Sequence, residues 1–202
     1  MEKMFGANVE FEEAKVLADL TSLHQDLRYT RDVLKRLIQL LRDGCQDHIL
    51  IQSYWSAALV AYVRCFSTGK RYGLTPDIYK HLDGAIDCHA YYKNMRDRHI
   101  AHSVNPFEQV AVDIQLSPPN SDKKEVLGVA VFMLKHMAPE VSGVMDCLRL
   151  TSVALKYVVN RCKEYENKVL EVAKSMPIEQ LYLKARGRLV APRPDQAGKP
   201  RP

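Results

Sequence analysis

Residues 11–41 read FEEAKVLADLTSLHQDLRYTRDVLKRLIQLL, and the spacing of the apolar residues in this stretch decides the fold class. Phe11, Ala14, Leu17, Leu20, Leu27, Leu34, Leu37, Ile38 and Leu41 recur mostly at three- and four-residue steps, with charged residues between them. On a period of 3.6 residues those positions gather into one apolar stripe, so a long amphipathic helix is predicted. Asp43-Gly44 follows as its stop, because glycine accepts the left-handed backbone that closes a helix.

Working outward, the stretch from about Gln46 to Phe66 is richer in alanine and aromatics around Tyr54, Trp55, Ala58 and Tyr62, and reads as a second, more deeply buried helix. Thr75-Pro76-Asp77 is a helix start, combining a capping hydroxyl, a proline suited to the first turn and an acid at the positive dipole end. Gly84 interrupts that third helix, and Ala85 to about Ser103 reads as another, broken at Asn105-Pro106. The period then changes to two. Val110, Val112 and Ile114 alternate, as do Val129, Val131 and Met133, around the turn-rich residues 117–122, which predicts a β-hairpin over about 109–134. Helical spacing resumes from Pro139 to Met176, Pro177 ends it, and an Arg/Pro/Gly-rich tail from Arg186 to Pro202 is expected to be disordered. The expectation is a mainly α protein: one helical domain over residues 1–185 carrying a small β-hairpin, then a disordered basic tail.

Composition narrows the class. Apolar residues make up 47% and charged residues 26% of the 202, an ordinary globular balance, and no run approaches the roughly 18 apolar residues needed to span a bilayer. Met1 to Glu13 contains no apolar leader region, so a cytoplasmic location and no membrane association are expected. Five widely spaced cysteines are read as buried thiols rather than a disulfide framework. The net charge is +5, but Lys184, Arg186, Arg188, Arg193, Lys199 and Arg201 against Asp195 already give +5, leaving 23 basic and 23 acidic residues before them. Global charge is therefore no argument that the folded part binds nucleic acid; only local clustering is.

The densest polar chemistry lies in Arg96-Asp97-Arg98-His99-Ile100-Ala101-His102. Histidine can take the proton of a ribose 2′-hydroxyl near neutral pH, and the guanidinium fork stays charged and matches phosphate oxygens. Asp97 is placed to orient Arg96 or a histidine. The alternative is a solvated charged turn with His102 capping the helix end. On an ideal helix Arg96 and His102 stand about 120° and ~9 Å apart, so acting on one phosphate requires the helix to unwind or a second subunit to contribute. Arg98 and His102 share a face, as do Arg96 and His99.

This segment resembles the motif of the HEPN superfamily: arginine, a polar residue, a few more, then histidine. The resemblance extends over roughly Gln46 to Phe107, including Trp55-Ser56-Ala57-Ala58-Leu59-Val60 and Arg64-Cys65-Phe66-Ser67-Thr68-Gly69-Lys70-Arg71, which look like the preceding helix of HEPN-like proteins from toxin and phage-defence systems. It implies a helical bundle that forms a homodimer, lines one cleft with two copies of the motif and cuts RNA without a metal. By the match, Arg96 and His102 carry over as the catalytic pair and Asp97 as the polar residue beside the arginine; asparagine is commoner there. Some members keep the fold and only bind RNA or nucleotides. A toxin of this type implies an antitoxin or nucleotidyltransferase partner.

Arg98 and His99, with Arg64, Lys70 and Arg71 near a glycine turn, are candidates for gripping the RNA backbone; the last three read equally well as a solvated helix end. Tyr91 and Tyr92 suit base stacking, although beside Met95 at helical spacing at least one belongs to a core. Cys88-His89 with His99 and His102 makes no metal set, since no paired cysteines or acidic ligands have zinc-like spacing, so no cofactor is expected. Neither a glycine-rich phosphate loop nor a Gly-x-Ser-x-Gly elbow is present.

Overall fold

A computed structural model describes residues 6–67, 69, 72–100, 108–135, 140–184 and 193–196. Its first helix, α1 (Glu12–Arg42), follows the apolar stripe closely: Leu20, Leu23, Leu27, Leu34 and Leu37 are fully buried. Two hydrogen bonds close it, Gly44 N–H to Leu41 O and Cys45 N–H to Leu40 O, while Gly44 holds φ at 70°. That pair of bonds is the Schellman motif, which satisfies the last carbonyls and needs the left-handed residue that glycine supplies.

Helix α2 (His48–Arg64) starts where the Asp47 carboxylate accepts from Leu50 N–H, satisfying one of the free amides of the first turn. Trp55, Ala58, Leu59 and Tyr62 are buried, as its composition predicts. The expected third helix is instead a single 3-10 turn, Pro76–Tyr79, and Thr75 makes no capping bond. Tertiary contacts end it: Tyr79 is buried with its hydroxyl donating to Leu150 O, and five residues on Gly84 takes φ 64°. Helix α3 (Ala85–Met95) begins there and passes into a π-helical turn, Arg96–Ile100; the remainder of the helix expected to reach Ser103 lies outside the described residues.

Strands β1 (Glu108–Leu116) and β2 (Val126–Lys135) form the predicted hairpin, antiparallel, with a bulge between Gln115 and Leu116. Helix α4 (Val141–Ser175) is the long helix foreseen, burying Val144, Cys147, Leu150, Ala154 and Val158 at three- and four-residue steps. Helix α5 (Ile178–Leu183) was not foreseen. Pro177 does end α4, yet its fixed φ also suits the position before a new first turn, where its carbonyl accepts from Gln180 N–H. Of the tail, a 3-10 turn Pro194–Gln196 is described and the rest lies outside the described residues.

The chain groups into two compact units. Residues 18–162 form the larger, and Tyr92 ties α3 to α4 within it by donating to Gly143 O at 2.6 Å. Trp55 of α2 packs edge-on against Tyr92, centroids 5.8 Å apart. The smaller unit combines residues 1–17 with 163–202, joined by a backbone hydrogen bond from Asn8 N–H to Lys184 O at 2.7 Å. None of the five cysteines is in a disulfide; Cys65 and Cys147 are buried as expected, while Cys45, Cys88 and Cys162 are only partly covered. Among the described residues, no helix is long and apolar enough to cross a membrane.

Candidate functional site

Helix α3 sets the site by what it buries. His89, Tyr92 and Met95 recur every three residues, are 3%, 2% and 2% exposed, and fix the rotation of the helix in its core. Lys93 and Arg96 then fall at the edge of that buried face, and Asp97 lies one turn beyond Lys93. Lys93 Nζ donates to Asp97 Oδ2 at 2.7 Å, and Arg96 Nη1 donates to Asp97 Oδ1 at 2.7 Å. One carboxylate thus bridges two cations. Burial pushes the Asp97 carboxyl up, but the hydrogen bonds and charges of Lys93 and Arg96 together outweigh it and hold the group below the usual carboxylate range.

Arg96 is the first residue of the π-helical turn, which packs against α2. A π turn widens the helix by one residue and shifts which side chains lie above one another, an arrangement common at functional sites. The Arg96 Nε is buried and has no hydrogen-bond partner among the described residues. The Arg96 side chain is 28% exposed, so an acceptor from outside can reach the guanidinium only away from the buried Nε, at a fork held in place by Asp97.

Of the residues singled out in the sequence, Arg96 and Asp97 come together. Arg98 is exposed on the same turn. His102, Lys70, Arg71 and the side chain of His99 lie outside the described residues. Arg64 is held elsewhere: its Nε donates to Asp26 Oδ2 at 2.9 Å and its Nη2 to Asp26 Oδ1, a two-toothed clamp from α2 to α1. Tyr91 is 40% exposed while Tyr92 is core, as the helical spacing required of one of them. Lys93 was missed, although its i,i+4 spacing from Asp97 is a readable signal. Asp26 had no readable signal, lying 38 residues from its partner.

A second polar cluster lies in the core of the larger unit. Tyr62, Tyr79 and His89 are joined by hydrogen bonds and ringed by Phe66, whose centroid is 4.4 Å from that of His89. His89 is therefore a core histidine. Among the described residues, no group of histidine, cysteine, aspartate and glutamate is arranged to hold a metal ion. Comparison of the chain with protein-family models, curated proteins and solved structures finds no match.

Proposed function

We propose that this protein is a homodimeric, metal-independent endoribonuclease of the HEPN type, a toxin or phage-defence effector whose site runs from Arg96 to His102. The observation that carries the reading is Arg96, a guanidinium positioned by Asp97 at a π-helical turn and still 28% exposed. In the reaction His102 takes the proton of a ribose 2′-hydroxyl. The 2′-oxygen attacks the adjacent phosphorus and the 5′-oxygen of the next nucleotide leaves with a proton from water, giving a 2′,3′-cyclic phosphate and a 5′-hydroxyl. Arg96 stabilises the negative charge that builds on the phosphorane oxygens, an interaction stronger in the transition state than in the ground state.

Asp97 favours a second reading, a non-catalytic HEPN-like module that binds RNA or a protein partner. Its carboxylate is already satisfied by Lys93 and Arg96, which is how a purely structural charge cluster is built. Incubation of purified protein with single-stranded RNA in EDTA separates the two. The ribonuclease reading expects cleavage leaving a cyclic phosphate, abolished by His102→Ala at unchanged thermal stability. RNA that is bound but uncut points to the binding module, and equal cleavage by the variant removes His102 from the chemistry.

A further inference from the structure

The register of the hairpin sorts its side chains into two faces. Val110 stands opposite Met133, Val112 opposite Val131, Ile114 opposite Val129 and, past the bulge, Leu116 opposite Val126. Strand pairing puts opposite residues on the same face, so these eight positions form one continuous apolar stretch, with the pair Glu108 and Lys135 next on that face at the open end of the ladder. Each is between 55% and 73% exposed, so no other described part of the chain covers it. We propose that this face is the docking surface for the same face of a second copy of the chain, ribbon stacked on ribbon.

Three observations choose that occupant. At such exposure, eight branched or long side chains present on the order of 800 Å² per copy, which is what each partner buries in a stable interface and more than monomers usually leave exposed. The only charged positions on the face are the terminal pair Glu108 and Lys135, one of each sign, which select no partner of net charge, whereas the continuous apolar stretch beyond them is complementary to itself across a two-fold axis. A lipid surface is disfavoured by charge: residues 108–135 contain three basic and four acidic side chains, without the cationic excess that supports interfacial binding. An isolated two-stranded ribbon is also marginal in water, and stacking a second ribbon about 10 Å away supplies the missing layer. The surface lies wholly in the hairpin; it would be the interface of the homodimer proposed above, and it does not depend on whether that dimer cuts RNA.

Light scattering on the full chain tests this. The wild type is expected at twice the 23.0 kDa chain mass, and the double variant Val112→Lys/Val131→Lys at the single-chain mass with unchanged helical circular dichroism. Asp113→Lys, on the opposite face, should remain dimeric, and so should Arg96→Ala, which tests only the ribonuclease reading. If the lysines lower helix content, Val112→Thr/Val131→Thr should raise the dimer dissociation constant at least tenfold. A wild type of single-chain mass at micromolar concentration, or a dimer unmoved by these substitutions, overturns the proposal. So does wild-type binding to phosphatidylcholine vesicles that the lysines abolish.

Discussion

The phenol oxygen of Tyr62 lies 2.9 Å from Nδ1 of His89, both side chains being buried in the core between α2 and α3. The direction of the protons follows from what each group has to give. Tyr79 donates its only hydroxyl proton to Leu150 O at 3.1 Å, so across the 3.0 Å contact Tyr62 must donate to Tyr79. Tyr62 then has no proton left for His89, and the imidazole donates from Nδ1. The result is a one-way chain ending on a carbonyl of α4, with His89 in the neutral Nδ1–H tautomer. Burial, then the charge and hydrogen bond of Tyr79, hold the Tyr62 hydroxyl far above the usual phenol range, so it does not ionise. Tyr62→Phe strands the imidazole donor and should destabilise the protein by about 1–3 kcal/mol. Tyr79→Phe strands the Tyr62 proton with a similar effect. Urea unfolding should show the double variant losing less than the sum of the two, and strict additivity would mean the chain does not act as a unit.

A pH dependence follows from the same histidine. Burial, followed by the charge of Lys93, holds the His89 pKa below its ordinary value, so the folded state keeps the ring neutral where the unfolded chain protonates it. The unfolded state then binds more protons, and stability rises with pH. The contribution is complete above about pH 6.5 and is lost as pH falls toward and through the folded-state value, with a slope of at most ~1.4 kcal/mol per pH unit. His24 acts in the same direction through burial and the charges of Arg28 and Arg31, more weakly because it is largely solvated. Urea midpoints measured from pH 8 to 5 should decline for the wild type and decline less for His89→Gln, whatever the starting stability of the variant. Parallel curves would assign the acid sensitivity to other groups.

Arg96 and Asp97 make separable predictions about activity. Arg96→Ala removes the donor proposed to face the phosphorane, and cleavage should fall by about 100-fold or more with little change in melting temperature. Arg96→Lys keeps the charge but not the fork, and should recover only a small part of the rate. Asp97 is held ionised throughout the neutral range, so Asp97→Asn acts by releasing Arg96 rather than by shifting a pH profile. Its expected signature is a lower kcat with the pH–rate midpoint unmoved. A displaced midpoint would make Asp97 a proton-transfer group instead of a positioning residue.

What the sequence made legible, and what it hid, divides along the range of the forces involved. The stripe Leu20, Leu23, Leu27, Leu34 and Leu37, and the alternation Val110, Val112 and Ile114, are local periodicities, and helix and hairpin both formed where they predict. The alternation did not disclose that the apolar face of the hairpin would remain open, because period two says which side chains share a face and not what lies against it. The turn at Pro76–Tyr79 reads as a helix start by every local rule. It stops because Tyr79 is drawn to Leu150, 71 residues away. In the candidate site, the adjacency of Arg96 and Asp97 was readable from neighbouring letters. The π-helical turn beneath them was not, since a local helix widening has no fixed residue signature.

Arg64 gives the last prediction, because sequence and structure assign it different work. By position it belongs to a basic group suited to gripping RNA; by geometry it clamps α2 to α1 through both oxygens of Asp26. The hydrogen bonds that Arg64 donates to Asp26, with partial burial in opposition and the Asp26 charge in support, leave the guanidinium even harder to deprotonate than usual. The Arg64 side chain is 55% exposed and that of Asp26 13%, so solvent weakens the pair on one side only. A two-toothed geometry lifts it toward the upper end of the ~0.2–1 kcal/mol typical of surface pairs. A double-mutant cycle of Arg64→Ala with Asp26→Ala, followed by urea unfolding, should return a coupling of that size. RNA affinity supplies the decisive arm. A residue committed to Asp26 neutralises no phosphate, so Arg64→Ala should leave the slope of log affinity against log salt unchanged, whereas loss of a phosphate contact would lower its magnitude by roughly 0.7–0.9. A reduced slope with no stability coupling would return Arg64 to the RNA-binding surface and leave the clamp without an energetic role.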